Sequence, residues 1–133
     1  MTPEGMMLVE SRLGPQETVN RLVAAVTSRG MSVVARVDHA AAAAGVGLEL
    51  RPTEVVIFGN PSAGTLLMQE AQTMGIDLPL KALIWQDAES RTWLAYNDPH
   101  WLAQRHGVAG DAVVAAMSKA LDAIADEAAG ASM

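Results

Sequence analysis

The sequence predicts an α+β fold, in which helices pack on an antiparallel or mixed sheet. Three observations support this: short strand-like runs alternate with amphipathic helical patterns, two adjacent strands form a hairpin candidate, and a long helix follows. A hairpin beside a terminal helix is typical of helices layered on one side of a sheet. The strand and helix alternation in the first half keeps a parallel α/β sheet open as the alternative.

Segments of two kinds can be located along the chain. Apolar and β-branched runs predict strands at residues 6–12, 31–37, 54–58, 81–86 and 91–96. Helical periodicity, bounded by capping residues, proline and glycine, predicts helices at residues 15–29, 39–44, 61–74, 99–106 and 112–129, the last capped by Asp111. No repeat or linker interrupts the pattern, so we expect a single domain over residues 1–133.

Bulk composition indicates a folded, acidic chain. Half of the residues are hydrophobic and 18% are charged, which is typical of a globular protein. The net charge of −6 argues against a nucleic-acid partner, because phosphates call for a basic surface. The chain has no cysteine, which excludes disulfides, thiolate metal sites and cysteine nucleophiles.

Hydropathy and the N-terminal residues predict a cytoplasmic protein. The N-terminus lacks the basic region and apolar core of a signal peptide. No apolar run reaches the roughly 18 residues that a membrane span requires. We therefore expect a cytoplasmic location and no membrane partner.

Two predicted helices begin with the same local device, a capping side chain followed by proline. Asn60 precedes Pro61, and Asp98 precedes Pro99. The cap oxygen accepts a hydrogen bond from a free backbone N–H, and proline suits the first helical position because it has no N–H. We expect these turns, together with Asp38 before the short second helix, to gather at one rim of the sheet.

The hairpin over residues 81–96 is apolar on both faces. A four-residue loop would pair Trp85 with Thr92 and Leu83 with Leu94. A half-exposed antiparallel hairpin alternates between apolar and polar residues, and neither face here is clearly polar. We therefore expect helices to cover one face and a second copy of the chain the other, as in a homodimer.

Common catalytic and metal signatures are missing. Gly59 and Gly64 have the spacing of a phosphate loop and Thr65 follows, but no lysine is present to reach the outer phosphates. The three histidines have no metal-ligand spacing, so we expect no metal and no other cofactor. Backbone N–H groups at the start of the helix after Asn60 could still hold a carboxylate or phosphate, as at any helix start.

Two further places carry polar groups near strand ends. His39 could act as a general base, bind a ligand, or be hydrogen-bonded for structural reasons alone. Tyr96, Asn97 and Asp98 end a strand before a helix, where they could line a cleft or serve as a core aromatic and a helix cap.

These features support three functional hypotheses. The first is binding of a small anionic or amphipathic ligand, such as an acidic metabolite, by Gly59, Asn60, Ser62, Ala63, Tyr96 and Asn97. The second is an enzyme that uses His39 as general acid/base with Asp98 or Tyr96. The third is a scaffold or interaction module in which the hairpin serves only the dimer.

Four segments together resemble a known family. They are Val37–Ala40, Phe58–Thr65, Gly75–Lys81 and Trp93–Pro99. As a set they resemble domain of unknown function 302, over about residues 8–128. The resemblance implies a two-layer α+β domain of β-α-β(4)-α type with extra short helices, usually a homodimer, and no established activity. A branch of that family carries cysteine at the positions of Gly59 and Leu80, so no thiol or metal role transfers to this chain.

Overall fold

The computed structural model describes residues 2–109 and 111–131, without the side chain of Asp111, and it confirms the α+β prediction. The strands are β1 (Met6–Ser11), β2 (Ser32–Asp38), β3 (Thr53–Gly59), β4 (Leu80–Gln86) and β5 (Thr92–Asn97). The α-helices are α1 (Pro15–Ser28), α2 (His39–Gly45), α3 (Pro61–Glu70), α4 (Pro99–Arg105) and α5 (Asp111–Ala128). A 3₁₀ turn at Gln72–Ile76 follows α3.

The sheet has the strand order β1-β5-β4-β3-β2, and every neighbouring pair is antiparallel. The parallel alternative is therefore wrong. β1 and β2 form the two edges. On β2 the pairing shifts between Val33 and Ala35, and this bulge leaves Val34 63% exposed.

The main core lies between one face of the sheet and the helices α1 and α5. Its members share near-complete burial, and the largest are Phe58, Leu22, Ile84, Leu94, Ile124, Val26 and Val56. Burying a side chain of this size contributes about 1.5–3 kcal/mol. A second cluster joins α3, the 3₁₀ turn, α4 and α5; it is formed by Leu67, Met74, Leu102, Ala103, Val108 and Val114.

Side-chain caps begin three of the helices. Asp38, Asn60 and Asp98 each accept, through Oδ1, a hydrogen bond of 2.9 Å from a backbone N–H of the first turn. The predicted cap at Asp111 lies outside the described side chains. The strand-to-helix device is therefore confirmed at Asn60 and Asp98, and Asp38 caps α2 without a following proline.

We expect Asp98→Ala to lower the free energy of unfolding by about 1 kcal/mol, because the first turn of α4 loses its hydrogen-bond acceptor. Urea denaturation followed by circular dichroism measures the change. Asp98→Asn keeps an oxygen acceptor and is the matched control. An equal loss in both variants would show that the carboxylate charge matters and the cap does not.

The hairpin register differs by one residue from the prediction. β4 and β5 pair Trp85 with Trp93, so the predicted pairs of Trp85 with Thr92 and of Leu83 with Leu94 are wrong. Because side chains alternate between faces, a slip of one residue changes which side chains share a face. The observed register puts both tryptophans on the same face of the sheet.

Asp87 sets this register by organising a five-residue loop over residues 87–91. Its N–H donates to the Arg91 carbonyl at 2.8 Å, and its carboxylate accepts from the N–H of Arg91 at 2.9 Å and from the Trp93 indole at 2.8 Å. Ser90 takes a φ of 64°, which lets the chain close the loop. The hydrogen bond from Trp93, followed by those from the loop backbone, lowers the pKa of Asp87.

The third helix is shorter than predicted. α3 ends at Glu70, Ala71 takes an extended conformation, and a 3₁₀ turn replaces the rest of the predicted helix to Met74. No proline or glycine marks this break in the sequence. Tertiary contacts hold the turn instead, since Thr73 within it and Asp77 after it bond to the end of α4.

The sheet face turned away from α1 and α5 is also apolar. Side chains directly opposite each other in an antiparallel pair share a face. By the strand register, this open face carries Leu8, Val55, Ile57, Leu83, Trp85, Trp93 and Ala95. None of them belongs to either core cluster, and Leu8 is 39% exposed. The charged side chains that the register places on this face are Glu10 and Lys81.

Candidate functional site

Two adjoining cavities flank the turn from β3 into α3, and together they form the α3 groove. The larger, of about 610 Å³, lies between this turn and α5. The smaller, of about 290 Å³, lies between the turn and the segment that leads into β4. Asn60, Leu80 and Met117 line both cavities. Small-molecule sites typically have volumes of about 300–1,000 Å³, so the groove has the size of a ligand site.

The lining of both cavities is mostly apolar. In the larger cavity the apolar side chains include Leu66, Val113, Ala116 and Leu121, and Arg29 is the one charged side chain among the described lining residues. In the smaller cavity the apolar side chains include Val34, Met68, Leu78 and Pro79, and its described lining carries no charge. Such a surface suits a largely apolar molecule with a small polar group.

The start of α3 offers fewer hydrogen-bond donors than expected. The Ser62 N–H donates to Asn60 Oδ1 at 2.9 Å, and the Gly64 N–H donates to the Asn60 carbonyl at 3.1 Å. Pro61 has no N–H, and the Ala63 N–H has no partner among the described residues. The Ser62 N–H is therefore used by the Asn60 cap, and a ligand would have to compete with that cap for this donor.

Arg29 forms an ion pair at the edge of the larger cavity. Its guanidinium donates to Glu127 at 2.8 and 3.0 Å and to the Ala25 carbonyl at 3.2 Å. The hydrogen bonds within this pair raise the pKa of Arg29 and lower that of Glu127. Two N–H groups of Arg29, that of Nε and one of Nη2, have no partner among the described residues, so two donors remain for a ligand.

His39 lies at the opposite end of the sheet from the groove. Ser32, at the start of β2, pairs with Gly59, whereas Asp38 pairs with Glu54 at the other end. A strand of this length spans about 20 Å. The expectation that Asp38, and His39 after it, gather with the other turns at one rim is therefore wrong, because β2 runs antiparallel to β3 and ends at the other end of the sheet.

Tyr96, Asn97 and Asp98 lie at the groove's end of the sheet but two strands away from β3, a separation of about 10 Å. None of the three lines either cavity. Tyr96 is 6% exposed and its hydroxyl donates to Asp122 on α5, while Asp98 caps α4. Tyr96 is therefore a core aromatic and Asp98 a helix cap. The enzyme hypothesis requires His39 to lie near one of them, and its position at the other end of the sheet contradicts that requirement.

Four of the predicted ligand residues do come together. Gly59 lines the smaller cavity, Asn60 lines both, and Ser62 and Ala63 line the larger. They are close because they belong to one local turn.

Burial, and next the hydrogen bond to Asp122, raises the pKa of Tyr96 well above its ordinary value. We expect the phenolate absorbance of the native protein to be missing at about pH 10, where an exposed tyrosine titrates. Tyr96 is the single tyrosine, so the signal is unambiguous.

The sign of the linked stability change follows from the raised pKa. The folded-state pKa of Tyr96 exceeds its unfolded value. Its contribution to the free energy of unfolding is therefore complete below the unfolded pKa and is lost as pH rises through the folded pKa. The guanidinium-unfolded chain, as control, should titrate near pH 10. Titration of the native protein at that same pH would contradict the prediction.

A polar cluster at the end of α4 was missed by the sequence analysis. His106, whose side chain is 7% exposed, lies 2.8 Å from Thr73 Oγ1 through Nδ1 and 2.5 Å from Asp77 Oδ2 through Nε2. Arg105 also pairs with Asp77, at 2.9 Å. The partners are about thirty positions apart in the chain, and no local pattern announces them. These bonds connect the 3₁₀ turn and Asp77 to the end of α4, and neither cavity of the groove includes these residues.

Two negative findings apply to the described residues. No group of three or more histidine, aspartate or glutamate side chains is arranged to hold a metal ion. None of the described helices combines the length and apolar character that crossing a membrane requires.

Comparison with known proteins identifies a family and a fold. The family model described as "Domain of unknown function DUF302" matches residues 7–124. The crystal structure of an uncharacterized conserved protein DUF302 from Bacillus stearothermophilus superposes with a TM-score of 0.84 at 22% identity. The match covers 95% of this chain and 99% of that one, and at this identity it shows the fold alone.

Curated relatives carry a different name. The fluoride-specific ion channels FluC 1 of Brucella suis and of Brucella abortus are each 48% identical over 128 residues, or 95% of this chain. The matched region is 50% and 47% of those proteins, respectively. The chain thus spans about half the length of the curated relatives it matches.

Proposed function

This chain belongs to the DUF302 family, whose description assigns no activity, and we propose that it binds a small amphipathic molecule in the α3 groove. The observation that carries the proposal is the pair of adjoining apolar cavities around the start of α3. Concave, largely apolar sites with a few placed polar groups are the usual form of small-molecule sites.

The polar groups of the groove favour an amphipathic ligand over a simple inorganic anion. A phosphate calls for several donors, and the start of α3 has one N–H without a partner among the described residues, that of Ala63. Arg29 pairs with Glu127 but keeps N–H groups without a partner among the described residues, so it can hold one head group and not a cluster of anionic oxygens. These few hydrogen-bond donors can bind one carboxylate, hydroxyl or amide head group. The apolar lining suits the rest of an amphipathic ligand.

We expect Ala116→Trp to weaken binding by about tenfold or more, because an indole on α5 would fill part of the larger cavity. Isothermal titration calorimetry with anilinonaphthalene sulfonate, an amphipathic probe, measures the change. Ala115→Trp is the matched control, since this neighbouring residue is exposed and does not line the groove. No binding to the parent protein, or equal loss in both variants, would overturn the proposal.

We propose further that two copies pair through the open face. The register places one acidic and one basic side chain on this face, Glu10 and Lys81, although the chain carries a net charge of −6. A second copy could approach here with little repulsion, and association would remove the half-buried Trp85 and Trp93 from water. The expected result of breaking this pairing is given in the Discussion.

The curated relatives favour one more proposal, a role beside fluoride transport. The 48% identity to half of two proteins named as fluoride channels is the supporting observation. A groove of several hundred cubic ångströms is too large to select fluoride itself, so we propose that the domain assists transport and binds another ligand. Deleting the gene should increase growth inhibition by sodium fluoride more than by sodium chloride. Unchanged fluoride sensitivity would remove this proposal.

A further inference from the structure

We infer that the two cavities of the α3 groove act as one site for an unbranched amphipathic molecule, with its head near Arg29 and its tail beyond Met117. This inference rests on the proposed function of the groove. It adds the shape of the ligand, its direction in the site and the residue that controls passage between the two cavities.

The wall between the cavities is formed by the three residues that line both, Asn60, Leu80 and Met117. Asn60 is held by its two hydrogen bonds to the start of α3, and Leu80 is 8% exposed and belongs to the main core. Met117 is half-buried, and its unbranched side chain has three rotatable bonds. Met117 packs against the second core cluster from its edge, so it is the most mobile part of this wall and we infer that it forms the gate between the cavities.

The polarity of the two cavities sets the direction of the ligand. The larger cavity is lined by Arg29, whose guanidinium keeps N–H groups without a partner among the described residues, and by Ser62. The described lining of the smaller cavity has no charged side chain and is dominated by aliphatic groups such as Met68 and Leu78. A polar head is therefore best accommodated in the larger cavity and an aliphatic tail in the smaller.

A passage opened by a single methionine is narrow, so a linear chain fits it better than a branched or fused-ring body. Each methylene transferred from water into the smaller cavity should raise affinity about fourfold. This gain should stop once the tail reaches the end of that cavity. The ligand class is therefore a medium-chain alkyl compound with a carboxylate or hydroxyl head.

The test uses linear alkyl carboxylates and alcohols of six to twelve carbons, titrated calorimetrically into the full chain. Affinity should rise about fourfold per methylene over part of the series and then level off. Thr65→Trp, which fills the smaller cavity, should abolish the gain for long chains and leave short ones unchanged. Gln69→Trp is the matched control, because Gln69 is exposed on the same helix and does not line the groove.

Two further variants test the role of Met117 between the cavities and the placement of the ligand's polar head beside Arg29. Met117→Ala, which removes the side chain between the cavities, should strengthen the binding of chains long enough to enter the smaller cavity and leave shorter chains unchanged. Arg29→Gln should weaken carboxylates at least tenfold more than alcohols of equal length. Equal weakening of both, with normal thermal stability, would overturn the placement of the head.

The outcomes separate this inference from the function on which it rests. Binding of anilinonaphthalene sulfonate that Ala116→Trp blocks would support the groove function. If, in that case, the affinity for alkyl compounds is independent of chain length, or Thr65→Trp weakens all lengths equally, the inference that the two cavities form one site is wrong. If neither the dye nor any alkyl compound binds the parent protein, both are wrong.

Discussion

Phe58→Ala is expected to lower the free energy of unfolding by about 3–5 kcal/mol, the cost of deleting a buried aromatic ring and leaving a cavity. Phe58 is fully buried, and it ends the β3 core segment directly before Gly59 and the turn into α3. Small domains have total stabilities of about 5–15 kcal/mol, so the variant should be partly unfolded at moderate temperature.

Urea denaturation of the parent and the variant measures this difference in stability. Phe58→Leu, which keeps most of the apolar volume, is the control and should lose clearly less than Phe58→Ala. A loss below about 1 kcal/mol for the alanine variant would mean that the core between β3 and the helices is looser than the burial of Phe58 indicates.

Trp85→Glu is expected to convert a dimer into a monomer. The proposed pairing through the open face would bury this carboxylate, and a two-fold interface would bury it twice. Removing one charge from water without a partner costs several kcal/mol, which corresponds to an increase in the dissociation constant of about a hundredfold or more. The molar mass measured by light scattering after size exclusion should therefore fall from twice the chain mass of 14.0 kDa for the parent to 14.0 kDa for the variant.

The control for this experiment is Val46→Glu. Val46 is 73% exposed and lies in the segment after α2, outside the strands that form the open face. The variant therefore introduces the same carboxylate without affecting the proposed pairing. Circular dichroism confirms that each variant is folded. A monomeric parent at tens of micromolar, or a Trp85→Glu variant that stays dimeric, would contradict the proposal.

Local chemistry accounts for the parts of the fold that the sequence predicts well. A cap and a proline act within three residues of each other, so Asn60 and Asp98 mark helix starts without knowledge of the rest of the chain. The helical stripe that buries Leu22 and Val26 is likewise visible as a period in the sequence.

Long-range contacts decide what the sequence does not predict. The hairpin register depends on the bond from Trp93 to Asp87 across the loop, and a pattern of apolar residues does not distinguish registers one residue apart. The position of His39 depends on the direction of β2, which is fixed only when β2 pairs with β3.

The candidate site shows the same division. Gly59, Asn60 and Ala63 could be named from the sequence because they lie in one turn. Arg29 and Met117 come from distant helices, and only the packing of α1 and α5 beside the turn brings them to the groove. The polar half of the predicted pocket does not assemble, for two reasons. His39 follows a strand that ends at the opposite end of the sheet, and Tyr96 and Asn97 lie on a strand two places away from β3.

The bulge on β2 has a consequence for solubility. An outer strand offers a row of unpaired backbone donors and acceptors on which another chain can add, and regular addition of this kind produces fibrils. On β2 the pairing shifts between Val33 and Ala35, which bends the strand and interrupts that row. The interruption thus favours a finite assembly over open-ended growth, even though Val34 exposes an apolar side chain at the same place.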